Sequence, residues 1–265
     1  MIRPLGLGHF TFLSLPPTEL VRLARGAGFD FVGLRFQPVR PGQLHWLPNE
    51  TEQRELRRVM EGEDIGLYDI ETVVIEENLR PETLIPAMDT AAALGGKRIN
   101  TCADRFDGLS DRFAQICELA GQRGLGVDIE CMAWRGIDSP KACLELIAES
   151  GAANAGYLVD ALHHSRCGGT PAEIAAMAPE RIVSAQLCDA SNLAPTGTEA
   201  LIAEARGGRL VPGEGALPLS ELLGALPAHA VLSIELPSAS DTRPPLERAR
   251  AIHQATMTLL KKVQE

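Results

Sequence analysis

Eight short apolar runs recur along the chain, separated by stretches in which apolar residues step by three and four positions. The runs are 4–10 (PLGLGHF), 29–36 (FDFVGLRF), 65–73 (IGLYDIETV), 97–102 (KRINTC), 125–132 (LGVDIECM), 155–161 (AGYLVDA), 181–188 (RIVSAQLC) and 230–236 (AVLSIEL). Runs of this length read as strands, and spacings such as Leu20, Leu23, Ala24 and Ala27 read as amphipathic helices. Boundary signals agree. Pro17-Thr18-Glu19, Asn49 with Glu52, and Ser139-Pro140 open helices, and Gly95, Gly124 and Gly151 lie near helix ends. Strict alternation of strand and helix predicts a parallel sheet, and eight units in 265 residues predict an α/β fold, a single (β/α)8 TIM barrel over residues 1–265. No linker or composition break suggests a second domain. No GxGxxG follows the first strand, so an open dinucleotide-binding sheet lacks its fingerprint. The span 189–217, rich in Gly, Ala and Pro, is expected to be a long functional or mobile loop.

In a barrel, alternate strand residues point inward and the active site forms at the C-terminal strand ends. Val127, Ile129 and Cys131 share the parity facing the helices, which leaves Asp128 and Glu130 inward. The same reasoning turns Asp160, Ser184, Gln186, Ser233 and Glu235 inward. Four consecutive strands thus carry Glu130, Asp160, Gln186 and Glu235 near their ends. Buried carboxylates are costly unless paired, hydrogen-bonded or bound to a cation. Three acids and one amide oxygen converging on one mouth call for a hard divalent ion, Mn²⁺ or Mg²⁺, over a structural zinc. The competing reading has each acid capping a helix or pairing with an arginine. It suits one such residue better than four in register.

Other residues leave two readings open. His163, three after Asp160, is placed to contact a substrate hydroxyl or move a proton, and His164 is its weaker competitor. Arg35 and Glu71 either line the pocket or form a structural ion pair. The segment EARGGRLVPGEG (204–215) either presents Arg206 or Arg209 to an anionic or polyhydroxy substrate or is a solvated turn. Glu214 reads as a loop or cap acid.

Composition narrows the class. With 25 Lys plus Arg against 35 Asp plus Glu, a net charge of −10 and 4% aromatic residues, the chain lacks the basic, ring-bearing surface that nucleic acid requires. Arg57 and Arg58 form the one basic clump, on a solvated helix face. No apolar run reaches a membrane span and no signal peptide is evident, so a cytoplasmic protein is expected. The six cysteines show no CxxC pair and read as small buried hydrophobes.

The strand ends DIECM, LVDALHH, AQLCDA, RLVPGEGALPL and LSIELP resemble the xylose isomerase-like TIM barrels, more narrowly the sugar phosphate isomerase/epimerase family, over nearly the whole chain. The resemblance implies that Glu130, Asp160, Gln186 and Glu235 bind a divalent metal and that His163 contacts substrate. It further implies that Glu130 and Glu235 act as an acid/base pair on opposite sides of the substrate carbons. The expected chemistry is isomerisation or epimerisation of a small sugar or hydroxy-keto compound through a metal-stabilised cis-enediolate. A lyase of the 3-dehydroshikimate or inosose dehydratase type is the rival, and a non-catalytic carbohydrate-binding barrel a third reading. Gln186 departs from the histidine that ketose 3-epimerases carry at the third ligand position and is similar to hydroxypyruvate isomerase and some 3-dehydroshikimate dehydratases. The related apurinic endonucleases need further ligands, for which the first two units supply only His9 and His45. Relatives are often dimers or tetramers, although the helix faces do not decide whether this chain is a homo-oligomer. The expected partner is a small polyhydroxy molecule.

Overall fold

The chain closes on itself strand by strand. The computed structural model describes residues 3–40 and 42–264. Strands β1 (Leu5–Leu7), β2 (Phe31–Leu34), β3 (Gly66–Ile75), β4 (Arg98–Ala103), β5 (Gly126–Ile129), β6 (Ala155–Asp160), β7 (Ile182–Leu187) and β8 (Val231–Ile234) form a closed barrel in chain order. Every neighbouring pair is parallel, including β8 with β1. Each of the eight expected runs overlaps one of these strands.

Around them lie α1 (Pro17–Ala27), α2 (Glu50–Glu63), α3 (Ile85–Ala93), α4 (Leu109–Gly121), α5 (Pro140–Ser150), α6 (Ala161–Arg166), α7 (Pro171–Ala176), α8 (Thr198–Gly207), α9 (Leu219–Ala225) and α10 (Pro245–Gln264). Their ends follow local chemistry. Asn49 accepts from the backbone of Thr51 and Glu52 while Glu52 returns a bond to Asn49 N, a reciprocal cap that opens α2. Ser139 caps α5 through Ala142 N, and Gly151 ends it at φ 63°. Outward strand residues such as Val127, Ile129, Ala185 and Ile234 are fully buried against helix faces such as Leu20, Ala24 and Phe113, the burial that drives the fold.

The barrel interior is polar in layers. Near its floor Arg98 pairs with Asp128, whose Oδ2 also accepts from Ser184 Oγ at 2.9 Å. Gly126 and Gly156 make this possible, because a Cβ on either would overlap the Arg98 guanidinium or the Asp128 carboxylate. Above, Asn100 Nδ2 donates to Asp69 Oδ2 at 3.2 Å.

The span 189–217 departs from the expected loop. It contains the ten-residue helix α8, and Asp189 ties the remainder together by accepting from Ala190 N, Gly213 N and Leu217 N. An antiparallel bridge, Asp189 to Leu210, adds to this. Flanking glycines and prolines masked the helical segment TEALIAEARG. Strand β3 runs two residues past its expected end, with a register shift between Ile70 and Val73 against β4.

Among the described residues no helix is long and apolar enough to cross a membrane. The six cysteines are free, five of them buried.

Candidate active site at the C-terminal strand ends

Parity places the four predicted oxygen ligands at one end of the barrel. Glu130 follows β5, Asp160 ends β6, Gln186 lies in β7 and Glu235 follows β8, and all four are buried. Asp160 is also the cap of α6: its Oδ1 accepts from His163 N at 2.8 Å, which fixes the carboxylate and starts the DALHH helix at the mouth.

Arg209 joins two members of this group, Asp160 and Glu235, with a side chain 1% exposed. Its Nη1 donates to Asp160 Oδ2 at 2.6 Å and to the Glu235 carbonyl at 3.1 Å. Its Nη2 donates to Glu235 Oε1 at 3.2 Å. Nη2 also lies 3.2 Å from His163 Nε2. A guanidinium only donates, so His163 Nε2 accepts and the ring is the neutral Nδ1–H tautomer. Burial lowers the pKa of His163 in the same direction. The edge-to-face ring of Trp134, 5.2 Å away, holds the imidazole in place.

The electrostatics of the acids differ with their partners. Burial pushes the Glu130 carboxyl well above its ordinary value, and the neighbouring charges of Glu235 and Asp160 push it further. Glu235 is pushed up to about 8, burial outweighing the attraction of Arg209. Asp160 goes the other way: burial opposes its ionisation, but Arg209 and His163 outweigh it and hold the carboxyl below the usual range.

The donor set fits a cation. Glu130 Oε2 and Gln186 Oε1 are buried oxygens with no hydrogen-bond partner among the described residues, and such atoms are costly unless something positive faces them. Ionising Glu130 and Glu235 beside Asp160 would leave a negative excess over the single charge of Arg209, which a divalent ion would cancel. Donor atoms of Glu130, Asp160 and His163 lie within 4.8 Å of one another and could hold a metal ion. Glu235 falls outside that tight set, and its Oε1 accepts from Arg209.

The remaining predicted residues separate. Glu130, His163, Arg209 and Glu235 share a cavity of about 210 Å³ with Arg35 and Arg206. Arg35 satisfies both readings: it lines the cavity and lies 3.8 Å from Glu71. Glu71 is fully buried behind it, Oε1 accepting from Phe10 N at 2.6 Å. Arg209 is not in a solvated turn. Arg206 stands exposed at the cavity rim. His164 points away, bonded to Tyr157 OH at 2.8 Å and the Thr170 carbonyl at 3.2 Å. His9 is a satisfied interior residue, joined to Arg35 N and the Leu15 carbonyl. Phe10, Trp134 and Arg135 also line the cavity and were not anticipated. For the last two, the Trp-Arg pair directly after the β5 run was the available signal.

A family profile described as "Xylose isomerase-like TIM barrel" matches residues 21–262. The chain is 31% identical over 132 residues to a 3-dehydroshikimate dehydratase of Pseudomonas aeruginosa, covering 48% of this chain and 20% of that protein. Among solved structures, a xylose isomerase-like TIM barrel/4-hydroxyphenylpyruvate dioxygenase fusion protein superposes with a TM-score of 0.84 at 20% identity, covering 99% of this chain and 43% of the other. The chain therefore spans a fifth of that curated relative and less than half of the fusion protein. The IOLI protein with a bound zinc atom gives a TM-score of 0.82 at 17% identity, covering 98% and 99% of the two chains. A D-allulose 3-epimerase from Methylomonas sp., in complex with D-allulose, gives 0.72 at 14% identity, covering 98% and 97%. At these identities the structures share the fold.

Proposed function

The chain belongs to the xylose isomerase-like TIM-barrel family, and from that premise we propose that it is a divalent-metal-dependent enzyme that removes a proton from the carbon beside a carbonyl in a small hydroxy-keto compound. The observation that carries this reading is the pair of unpartnered buried oxygens, Glu130 Oε2 and Gln186 Oε1, beside Asp160 and Glu235 at the strand ends.

Glu130, Asp160, Gln186 and Glu235 would hold the ion, either Mn²⁺ or Mg²⁺ for oxygen donors. Bound there, a divalent cation polarises a substrate carbonyl and acidifies the adjacent C–H. Glu130 and Glu235 serve as the base that takes the α-proton and the acid that returns one, each role contributing about 10²–10⁴-fold. Arg209 holds Asp160 and Glu235 in register and points one N–H at His163. His163, neutral and fixed by Trp134, orients a substrate oxygen. The apolar walls, Phe10, Leu13, Val74 and Met132, keep water from the reacting carbon.

Return of the proton to the neighbouring carbon gives isomerisation, and return to the opposite face of the same carbon gives epimerisation. A second reading, loss of a β-hydroxyl to give dehydration, is favoured by the 31% identity to a 3-dehydroshikimate dehydratase and by Gln186 in the third ligand position. The test is solvent deuterium incorporation at the α-carbon, followed by NMR with hydroxypyruvate, D-fructose, 3-dehydroshikimate and an inosose. The protein is supplied with Mn²⁺ or stripped with chelator. Metal-dependent exchange in one of these supports the reading, and equal exchange with and without metal overturns it. Appearance of a conjugated product by ultraviolet absorbance separates dehydration from isomerisation.

A further inference from the structure

The cavity has a second pole that the proton-transfer chemistry does not use. Three guanidinium groups, Arg35, Arg135 and Arg206, line it together with the acids. Arg35 is 6% exposed, yet its Nε has no hydrogen-bond partner among the described residues. Its nearest carboxylate oxygen, Glu71 Oε1, stands 3.8 Å from Nη2, close enough to attract but too far to bond. The Phe10 ring, 4.4 Å from the guanidinium carbon, covers one face of the group and leaves its edge to be answered by something else. Arg135, with a side chain 7% exposed, spends Nη1 on Asp104 at 2.9 Å and Glu76 at 3.4 Å. Its buried Nε is likewise unpartnered. Arg206 makes no ion pair among the described residues.

A buried guanidinium without a bonded partner, as at Arg35, is costly, and the acids at the cavity floor do not relieve it, since Asp160 and Glu235 already face Arg209. We propose that the substrate carries an oxyanion, a carboxylate or a phosphate, seated against Arg35, Arg206 and Arg135, with its hydroxy-keto end toward Glu130 and Glu235. A neutral sugar would leave the arginine pole unsatisfied, whereas a planar or tetrahedral oxyanion accepts paired N–H bonds from such groups. The proximity of the charges supports this. Partial burial lowers the Arg206 pKa, and the positive charges of Arg40, Arg135 and Arg35 lower it further. This inference names the substrate class for the site proposed above and rests on that reading for the orientation alone.

The test is calorimetric binding to the full chain, supplied with Mn²⁺, of two matched trios. The linear trio is D-glucitol, D-gluconate and D-glucitol 6-phosphate. The carbocyclic trio is myo-inositol, shikimate and myo-inositol 1-phosphate. A charged member is expected to bind about tenfold or more tightly than its neutral partner in at least one trio, as charge-assisted pairing requires. Lead by the carboxylate assigns a hydroxy acid, and lead by the phosphate assigns a sugar phosphate. Arg206→Gln, whose side chain is exposed and whose loss leaves the core intact, is expected to reduce that preference several-fold. Arg35→Gln, checked by thermal melt for folding, is expected to reduce it further. Neutral members binding as tightly as charged ones, no binding by any charged member at millimolar concentration, or a preference unchanged in Arg206→Gln and folded Arg35→Gln would each overturn the proposal. Deuterium exchange reports separately: exchange without charge preference removes the anion subsite alone, and charge preference without exchange removes the proton-transfer reading alone.

Discussion

Arg209 Nη1 sits 2.6 Å from Asp160 Oδ2 with both side chains fully out of solvent, so the barrel mouth is built around a buried ion pair and not around bare carboxylates. The same guanidinium reaches Glu235 and His163, which makes it the hinge of the constellation. Arg209→Met removes one partner of that pair and is expected to cost about 3–5 kcal/mol of stability, seen as a lowered thermal midpoint. Arg209→Lys keeps the charge but loses the fork. It is expected to fold close to the parent while α-proton exchange falls about 100-fold. Exchange at the parental rate in Arg209→Lys would show that geometry at this position is dispensable.

Glu130→Gln separates stability from activity. The carboxyl is buried with no hydrogen bond to Oε2 among the described residues, and its pKa is raised by burial and by two neighbouring acids. A raised folded-state pKa means that ionisation above the ordinary glutamate value costs folding energy, and an amide removes that cost. The metal-free Gln variant is therefore expected to melt higher than the metal-free parent at neutral pH. Its deuterium exchange is expected to drop about 10²–10⁴-fold. A melt lower than the parent's would show that the carboxylate is not held under strain.

Much of this is legible in the amino-acid sequence, for definite physical reasons. The period-two alternation in VDIEC and SAQLC fixes which face of β5 and β7 each side chain takes, so Glu130 and Gln186 could be placed inward by parity alone. Asp160 and Glu235 followed from the same rule. Arg209 was harder: it lies outside any strand, and its burial depends on the antiparallel bridge of Asp189 with Leu210 and on α8, neither of which a Gly- and Pro-rich segment announces. The arginine pole was split in the same way. Arg35 falls near a strand end and was a candidate, whereas Arg135 comes from the turn after β5, where no periodicity operates. His164 shows the limit of spacing arguments, since DALHH offers two imidazoles and only the geometry of α6 sends one to Tyr157 and the other to the cavity.

Metal loading is expected to stabilise the folded chain. A ligand that binds only the native state adds RT ln(1 + [L]/Kd), about 2.7 kcal/mol at a hundredfold excess over Kd. Adding Mn²⁺ to chelator-treated protein should raise the thermal midpoint, and Gln186→Ala should weaken that response by lowering affinity. Because Gln186 Oε1 has no other partner to lose among the described residues, the variant is expected to keep the parental midpoint in chelator within a few degrees. A Mn²⁺-induced rise that is identical in the parent and in Gln186→Ala would remove Gln186 from the ligand set.

Asp69 supplies a pH-dependent prediction from deeper in the barrel. Its Oδ2 accepts from Asn100, its Oδ1 has no hydrogen-bond partner among the described residues, and its carboxyl is pushed up to about 7, by burial first and by the charges of Asp128 and Glu235 after it. The folded state thus holds this proton more tightly than the unfolded chain does. Its contribution to stability is complete below about pH 4, the unfolded value, and is lost as pH rises toward 7. Each pKa unit corresponds to about 1.4 kcal/mol, so the loss above pH 7 is at most about 4 kcal/mol. Asp69→Asn keeps the neutral shape at every pH and still bonds Asn100. The variant is expected to match the parent in denaturant titrations near pH 4 and to exceed it by a few kcal/mol near pH 8. A difference that is constant with pH, or largest at acid pH, would mean that Asp69 is ionised in the folded barrel.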